Sequence, residues 1–172
     1  MRFTGASLAV AACLVLLGTG SAIAADEPGN FNASLKGAYR TFSSAANVGS
    51  TTHLYFTGVM TYDGKGHATW AGRGTVIEST ATEAFSFGET GVLTYEVKRD
   101  GSFTQEGTFT SNPVGDYVIT GVKWVGQIGI GGSILVLIGA IPPEPAIFTG
   151  GGGVPTVRFG VNTMTAVRIP QQ

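Results

Sequence analysis

The sequence predicts an all-β chain, an antiparallel up-and-down β-barrel of about eight strands, and three observations carry that expectation. Short runs rich in β-branched and aromatic residues recur along the chain, separated by turn residues. Glycine is abundant, 27 of 172 residues, and only Gly5, Gly18 and Gly20 fall in the first two dozen positions. A short pattern also repeats: Gly58-Val59-Met60-Thr61-Tyr62 returns as Gly91-Val92-Leu93-Thr94-Tyr95, and Gly66-His67-Ala68-Thr69 is echoed by Gly101-Ser102-Phe103-Thr104.

The chain opens with an address label. Arg2 gives a minimal positive start, an apolar run follows from Leu8 to Leu17, and Ala22-Ile23-Ala24 has the small-x-small pattern of a signal-peptidase site. Residues 1–24 are therefore expected to be a cleaved signal peptide, 25–34 a flexible lead-in, 35–169 one β-barrel domain and 170–172 a tail. Export follows, to the periplasm or the medium. The run is too short for a comfortable transmembrane helix. Val10-Ala11-Ala12-Cys13 has the look of a lipoprotein box, but a cut there would leave Leu14 to Leu17 as a greasy new terminus. With Cys13 removed, the exported chain has no cysteine, so core packing and strand ladders must hold it in an oxidising compartment.

The remaining 148 residues suffice for one domain. Nine Lys and Arg face eleven Asp and Glu there, with no basic run to neutralise phosphates, which argues against a nucleic-acid partner.

Strands are expected near Leu35–Phe42, Thr52–Tyr62, Ala68–Ile77, Thr82–Phe87, Val92–Val97, Phe103–Thr110, Tyr117–Gln127 and Ser133–Ala140, with one or two more around Val157–Val161 and Thr163–Ile169. Pro142-Pro143-Glu144-Pro145 reads as a stiff loop, since proline donates nothing to a central ladder, and Gly150 to Gly153 as a flexible one.

Register follows from alternation, because residues facing each other across a hairpin point to one side. Leu93, Tyr95 and Val97 share a face and match Phe103 only if Arg99-Asp100-Gly101 is a three-residue loop, with Gly101 at the left-handed position. The same logic puts Gly64-Lys65-Gly66 at the first turn, with Tyr62 opposite Ala68 and Met60 opposite Trp70. Inward residues are then Leu54, Phe56, Met60, Tyr62, Trp70, Leu93, Tyr95, Val97, Phe103 and Phe109. Glycines inside strands, such as Gly72, Gly74, Gly107 and Gly121, mark barrel corners or room made in the interior.

Leu35-Lys36-Gly37-Ala38-Tyr39, followed by the paired Gly-Val-x-Thr-Tyr hairpins and their Gly-x-x-Thr returns, resembles small secreted bacterial proteins with a calycin-like barrel. Lipocalins and the allene oxide cyclase barrel are their relatives in architecture. The resemblance spans roughly Leu35 to Thr110. Lipocalins carry Gly-x-Trp on the first strand; here Tyr39 stands at the tryptophan position. The resemblance implies an eight-stranded antiparallel barrel with a central cavity for a small apolar ligand, and it hands over no catalytic residue.

The residues themselves show no catalytic constellation and no cofactor motif. A metal centre needs several converging ligands, and the exported chain offers only His53 and His67, at opposite ends of one hairpin. Asp63 with His67 reads as a solvated turn pair. No Gly-x-Ser-x-Gly elbow is present, and no lysine or helix follows Gly150 to Gly153 as a phosphate loop requires. The ligand-binding candidates are Phe56, Met60, Tyr62, Trp70, Tyr95 and Phe103, which with Trp124 would form an aromatic wall or simply fill a core. Lys123 joins them, since it alternates with Tyr117, Ile119 and Val125 and would project inward or snorkel to the rim. Arg158 or Arg168 over a tryptophan is a further pairing to look for.

Four functions fit this pattern. A barrel enclosing a small hydrophobic molecule leads. The alternatives are an interaction module with a packed interior, a barrel-type cyclase or isomerase, and a small outer-membrane barrel. The near-continuous apolar run Ser133 to Ile141 implies a strand buried on both faces or one that meets a partner subunit, so a homo-oligomer is an open alternative. Stable membrane insertion is disfavoured, because Gly, Thr and charged positions interrupt any lipid-facing band.

Overall fold

The computed structural model describes residues 30–47, 51–78, 84–112, 117–140, 145–150 and 155–170. The leader, the Cys13 box, most of the prolines and most of the Gly150 to Gly153 loop lie outside the described residues. Nine strands follow a short 3-10 turn, Asn32–Ser34: β1 (Lys36–Asn47), β2 (Thr52–Asp63), β3 (His67–Glu78), β4 (Phe85–Val97), β5 (Ser102–Asn112), β6 (Val118–Ile128), β7 (Ile134–Gly139), β8 (Pro145–Thr149) and β9 (Thr156–Arg168). Each strand is antiparallel to its neighbours. β1 pairs with β2 on one side and with β9 on the other, from Tyr39 opposite Arg168 to Asn47 opposite Gly160, and this closes the sheet into a barrel.

The barrel has eight staves, because β7 and β8 share one. β7 lies between Trp124–Ile128 of β6 and Thr163–Val167 of β9, and β8 lies between Val118–Thr120 and Thr156–Phe159 of the same two strands. Pro145 begins β8, a first position where the missing N–H is tolerated. The sequence predicts a stiff loop through Pro145 and no strand directly after it, so β8 is a departure from that expectation.

The hairpin registers are those the alternation predicts: Tyr62 faces Ala68, Met60 faces Trp70, His53 faces Ile77, and Val97 faces Phe103. Gly101 has φ +79°, the left-handed conformation its loop requires. Asp63 ties the other turn by accepting the backbone N–H groups of Lys65 and His67, and its side chain pairs with that of His67 at 3.3 Å.

Three expectations need correction. Thr82–Phe87 and Val92–Val97 are not separate strands; β4 runs unbroken from Phe85 to Val97 through Gly88 and Gly91. Those glycines read as turn punctuation, yet Gly91 makes interior room: a Cβ there would sit 2.6 Å from the Phe109 ring of β5, so the ring lies where a side chain would be. Likewise Val157–Val161 and Thr163–Ile169 are one strand, β9, passing through Asn162. Finally, Lys123 does not project inward. β6 carries one extra residue between Ile119, opposite Phe109, and Val122, opposite Gly107, with Gly121 at φ +75°. This bulge flips the alternation, so Val122 and Trp124 turn in while Lys123 and Val125 turn out. Lys123 lies half-exposed on the outer wall, 3.8 Å from Glu106.

One half of the barrel is packed solid. Leu35, Tyr39, Met60, Tyr62, Leu93, Phe103, Leu135, Leu137 and Ala166 are buried there. Three tyrosines stack edge to face, with Tyr62 5.5 Å from Tyr39 and 5.1 Å from Tyr95. Every hydroxyl has an acceptor: Tyr39 donates to the Gly132 carbonyl at 2.8 Å, Tyr62 to Gln105 Oε1 at 2.8 Å, and Tyr95 to the Leu35 carbonyl at 2.9 Å. Burial holds all three phenols above their usual range, Tyr95 at about 12, so they stay neutral donors. The 3-10 turn caps this end; Asn32 Oδ1 accepts the Val97 N–H at 2.8 Å and Phe31 packs on the core. Residues 30–34, part of the stretch expected to be a flexible lead-in, thus serve as a plug. Arg168 lies 5.9 Å over the Tyr39 ring, and over neither tryptophan, while its guanidinium donates to the Lys36 carbonyl at 2.6 Å. The side chain of Arg158 lies outside the described set.

Candidate functional site

The opposite half of the barrel is not filled. Residues of β1 to β6, β8 and β9 surround a cavity of about 110 Å³, walled chiefly by Leu54, Phe56, Trp70, Phe109, Ile119, Val122, Trp124, Ala146, Phe148 and Met164, with Glu89, Ser43, Gly160 and Asn162 as its polar or open positions. It exists because the local sequence withholds side chains. β9 offers Gly160 and Asn162 where the seventh stave is interrupted.

The aromatic side chains hold one another. Phe56 meets Trp70 at 6.3 Å and Phe87 at 6.0 Å, and Phe109 bridges Trp70 at 6.0 Å and Trp124 at 5.5 Å, all edge to face. Such pairs fix ring orientation beyond what area burial does. The wall is therefore preformed.

Its polar atoms are unevenly satisfied. Trp70 Nε1–H donates to Thr41 Oγ1 at 3.0 Å, but Trp124, only 6% exposed, has its Nε1–H buried with no partner among the described residues, and Asn162 Oδ1 is buried in the same condition. Glu89 is 7% exposed. Its sole protein donor among the described residues is the Ser111 hydroxyl, at 3.3 Å. Burial pushes its carboxyl up to about 7, with the Ser111 bond opposing only weakly. A carboxyl placed this way exchanges its proton near neutrality and accepts a donor from anything that enters.

Of the residues the sequence nominates, Phe56 and Trp70 line this cavity, as do Leu54 and Phe109 from the wider inward set and Trp124, which the sequence offers only as part of an aromatic wall. Met60, Tyr62, Tyr95 and Phe103 belong to the packed half, and Lys123 stands outside the barrel. Ile119, which the sequence places on the inward alternation of its strand, lines the cavity too, whereas Glu89, Asn162 and Phe148 are not nominated by the sequence. For Glu89 the signal was present: it shares parity with Leu93, Tyr95 and Val97, and only the supposed break at Gly88 to Gly91 concealed it.

No family model matches the chain, and no curated protein matches it. Among solved structures, the chain is similar to the S-type phycobiliprotein lyase CPES from Guillardia theta at 10% identity, over 83% of this chain and 92% of that one, with a TM-score of 0.28. That similarity is too distant to bear on function; the fold rests on the strand ladders themselves.

Proposed function

We propose that this protein is exported and binds a small, largely apolar molecule in the open half of its barrel. The observation that carries the reading is the preformed aromatic cavity, two of whose lining residues, Trp124 and Asn162, carry buried polar atoms without partners among the described residues. A domain gains nothing in stability from leaving Trp124 Nε1 and Asn162 Oδ1 unmatched, since each buried orphan costs roughly 1–3 kcal/mol. A ligand that pairs them removes that cost. Size narrows the class: an apolar cavity of roughly 150 Å³ accepts benzene, whereas drug-sized sites run to roughly 300–1,000 Å³. At about 110 Å³ the site suits one ring or a short branched chain. Export is supported by the leader pattern of residues 1–24.

An outer-membrane barrel fits poorly. Such barrels are apolar outside and polar within. This one is apolar within, while Arg40, Arg73, Glu96 and Glu106 stand exposed along its outer wall.

Calorimetric titration with benzene tests the binding role. Saturable binding is expected, abolished in Ala146→Phe, which puts a ring into the cavity. Absence of saturable heat, or equal binding by that variant, would refute it.

A second reading draws on the outer wall of β7 and β9. Leu135 and Leu137 of β7 are buried, but Ile134, Val136 and Ile138 face outward and stay exposed beside Val161 and Val167. Burial of β7 on both faces, one expectation of the sequence, is thus not met within the single chain; a second copy would complete it. Native mass spectrometry decides: a monomer at micromolar concentration removes this reading.

A further inference from the structure

We infer that the cavity selects a compact single-ring amine, whose ammonium group meets Glu89 and Asn162 while its ring rests among Phe56, Trp70, Phe109 and Trp124. The inference rests on the binding role proposed above and names the ligand class for the same site.

Glu89 is the key. A carboxylate taken out of water needs a cation or several donors, and this one has a single hydroxyl at 3.3 Å. The strands packed against β4 supply no cation. Across β3 the inward positions are Trp70, Gly72 and Gly74, and across β5 they are Gly107, Phe109 and Ser111. Of the charged residues of those strands, His67, Arg73 and Glu106 sit exposed on the outer wall, and the side chain of Glu78 lies outside the described set. β9 contributes Met164 and Asn162 to the lining of the cavity. Among the described side chains nothing positive faces Glu89, and the cavity lining is otherwise neutral, made of π systems with Ser43, Asn162 and the Trp124 indole as its polar groups.

Three features agree on a cation with a donor-rich head. The carboxylate neutralises it, Asn162 Oδ1 accepts a second N–H, and aromatic rings attract an ammonium through their quadrupoles, more strongly where water is excluded. The Trp124 Nε1–H adds one donor, so an amine that also bears an oxygen or ring-nitrogen acceptor gains a further bond. A quaternary or long-chain amine is disfavoured, the first because it has no N–H for Asn162 and the second because about 110 Å³ does not house it.

Protons then couple to binding. The empty site's carboxyl exchanges its proton at about 7, so an ammonium must find it ionised. Affinity for a cation is expected to fall about 100-fold between pH 8 and pH 5, following the ionised fraction, while a neutral ligand of the same shape is indifferent.

The experiment compares benzylamine with benzyl alcohol by calorimetry on the full exported chain, at pH 8 and pH 5, in the wild type and in Glu89→Gln. The expected result is at least about tenfold tighter binding of the amine at pH 8. That preference disappears at pH 5 and in the variant, while the alcohol binds throughout. If both probes bind alike at pH 8, the amine inference is overturned and the cavity reading survives. If neither binds, both fall. The wild-type pH comparison stands alone should the variant fold poorly.

Discussion

The two halves of this barrel use similar side chains to opposite ends. Around Tyr39, Tyr62 and Tyr95 the rings meet edge to face, each hydroxyl reaches an acceptor, and the turn at Asn32–Ser34 seals the end. Around Phe56, Trp70, Phe109 and Trp124 the rings also meet edge to face, yet they enclose space, and an indole N–H, an amide oxygen and a carboxyl are left with little or nothing to bind. The difference separates what folds the chain from what the fold is for: the structural half is packed solid and leaves one orphan among the described side chains, Gln105 Nε2, whereas the other half combines two orphans and a weakly bonded carboxyl with open space inside a rigid wall.

The largest expected effect sharpens that contrast. Phe103→Ala, in the packed half, should cost about 3–5 kcal/mol by denaturant unfolding, because the residue is 1% exposed and surrounding strands cannot collapse. Phe56→Ala, on the cavity wall, should cost about 1–2 kcal/mol, since much of its contact is with space already open. Equal losses would erase the distinction between the halves.

Next comes Glu89. Its folded carboxyl sits at about 7 against an ordinary 4.5, so the folded state holds its proton where the unfolded chain has lost it. The sign is that of a raised acid: stability from this group is full below pH 4.5, declines as pH rises, and levels off above 7. At about 1.4 kcal/mol per pH unit the span is about 3 kcal/mol. Glu89→Gln should flatten it, so the variant gains on the wild type as pH rises. Parallel stability profiles would mean that Glu89 is solvated.

Tyr62→Phe should cost about 1 kcal/mol, because it strips Gln105, whose Nε2 already lacks a partner, of its remaining donor. Smallest of all, Lys123→Met should alter stability by less than about 0.5 kcal/mol and leave ligand affinity unchanged, since its Glu106 pair lies on the outer wall. Weakened binding in that variant would return Lys123 to the site.

The packed half was legible in the sequence because its rules are local. A loop of fixed length and a period of two residues determine which of Met60, Tyr62, Tyr95 and Phe103 face inward, and all of them do. The cavity half depends on departures from those rules. One extra residue at Gly121 reverses every side chain after it, exchanging Lys123 for Trp124. Gly88 and Gly91 resemble a turn until Phe109 is seen to occupy the vacant side of β4, and that resemblance hid Glu89. Asn162 becomes a cavity residue only because β7 and β8 leave a gap beside it, a consequence of pairing between distant strands.

The indole N–H resonances provide the most direct test of the central claim. Trp70 is hydrogen-bonded to Thr41, and Trp124 is buried without a partner, so the two report on the same cavity from different states. Saturation with benzyl alcohol should displace the Trp124 resonance strongly, shift Trp70 less, and leave the backbone amides around Tyr62 and Leu135 unmoved. Shifts confined to the outer wall, or spread equally over both halves, would contradict the account.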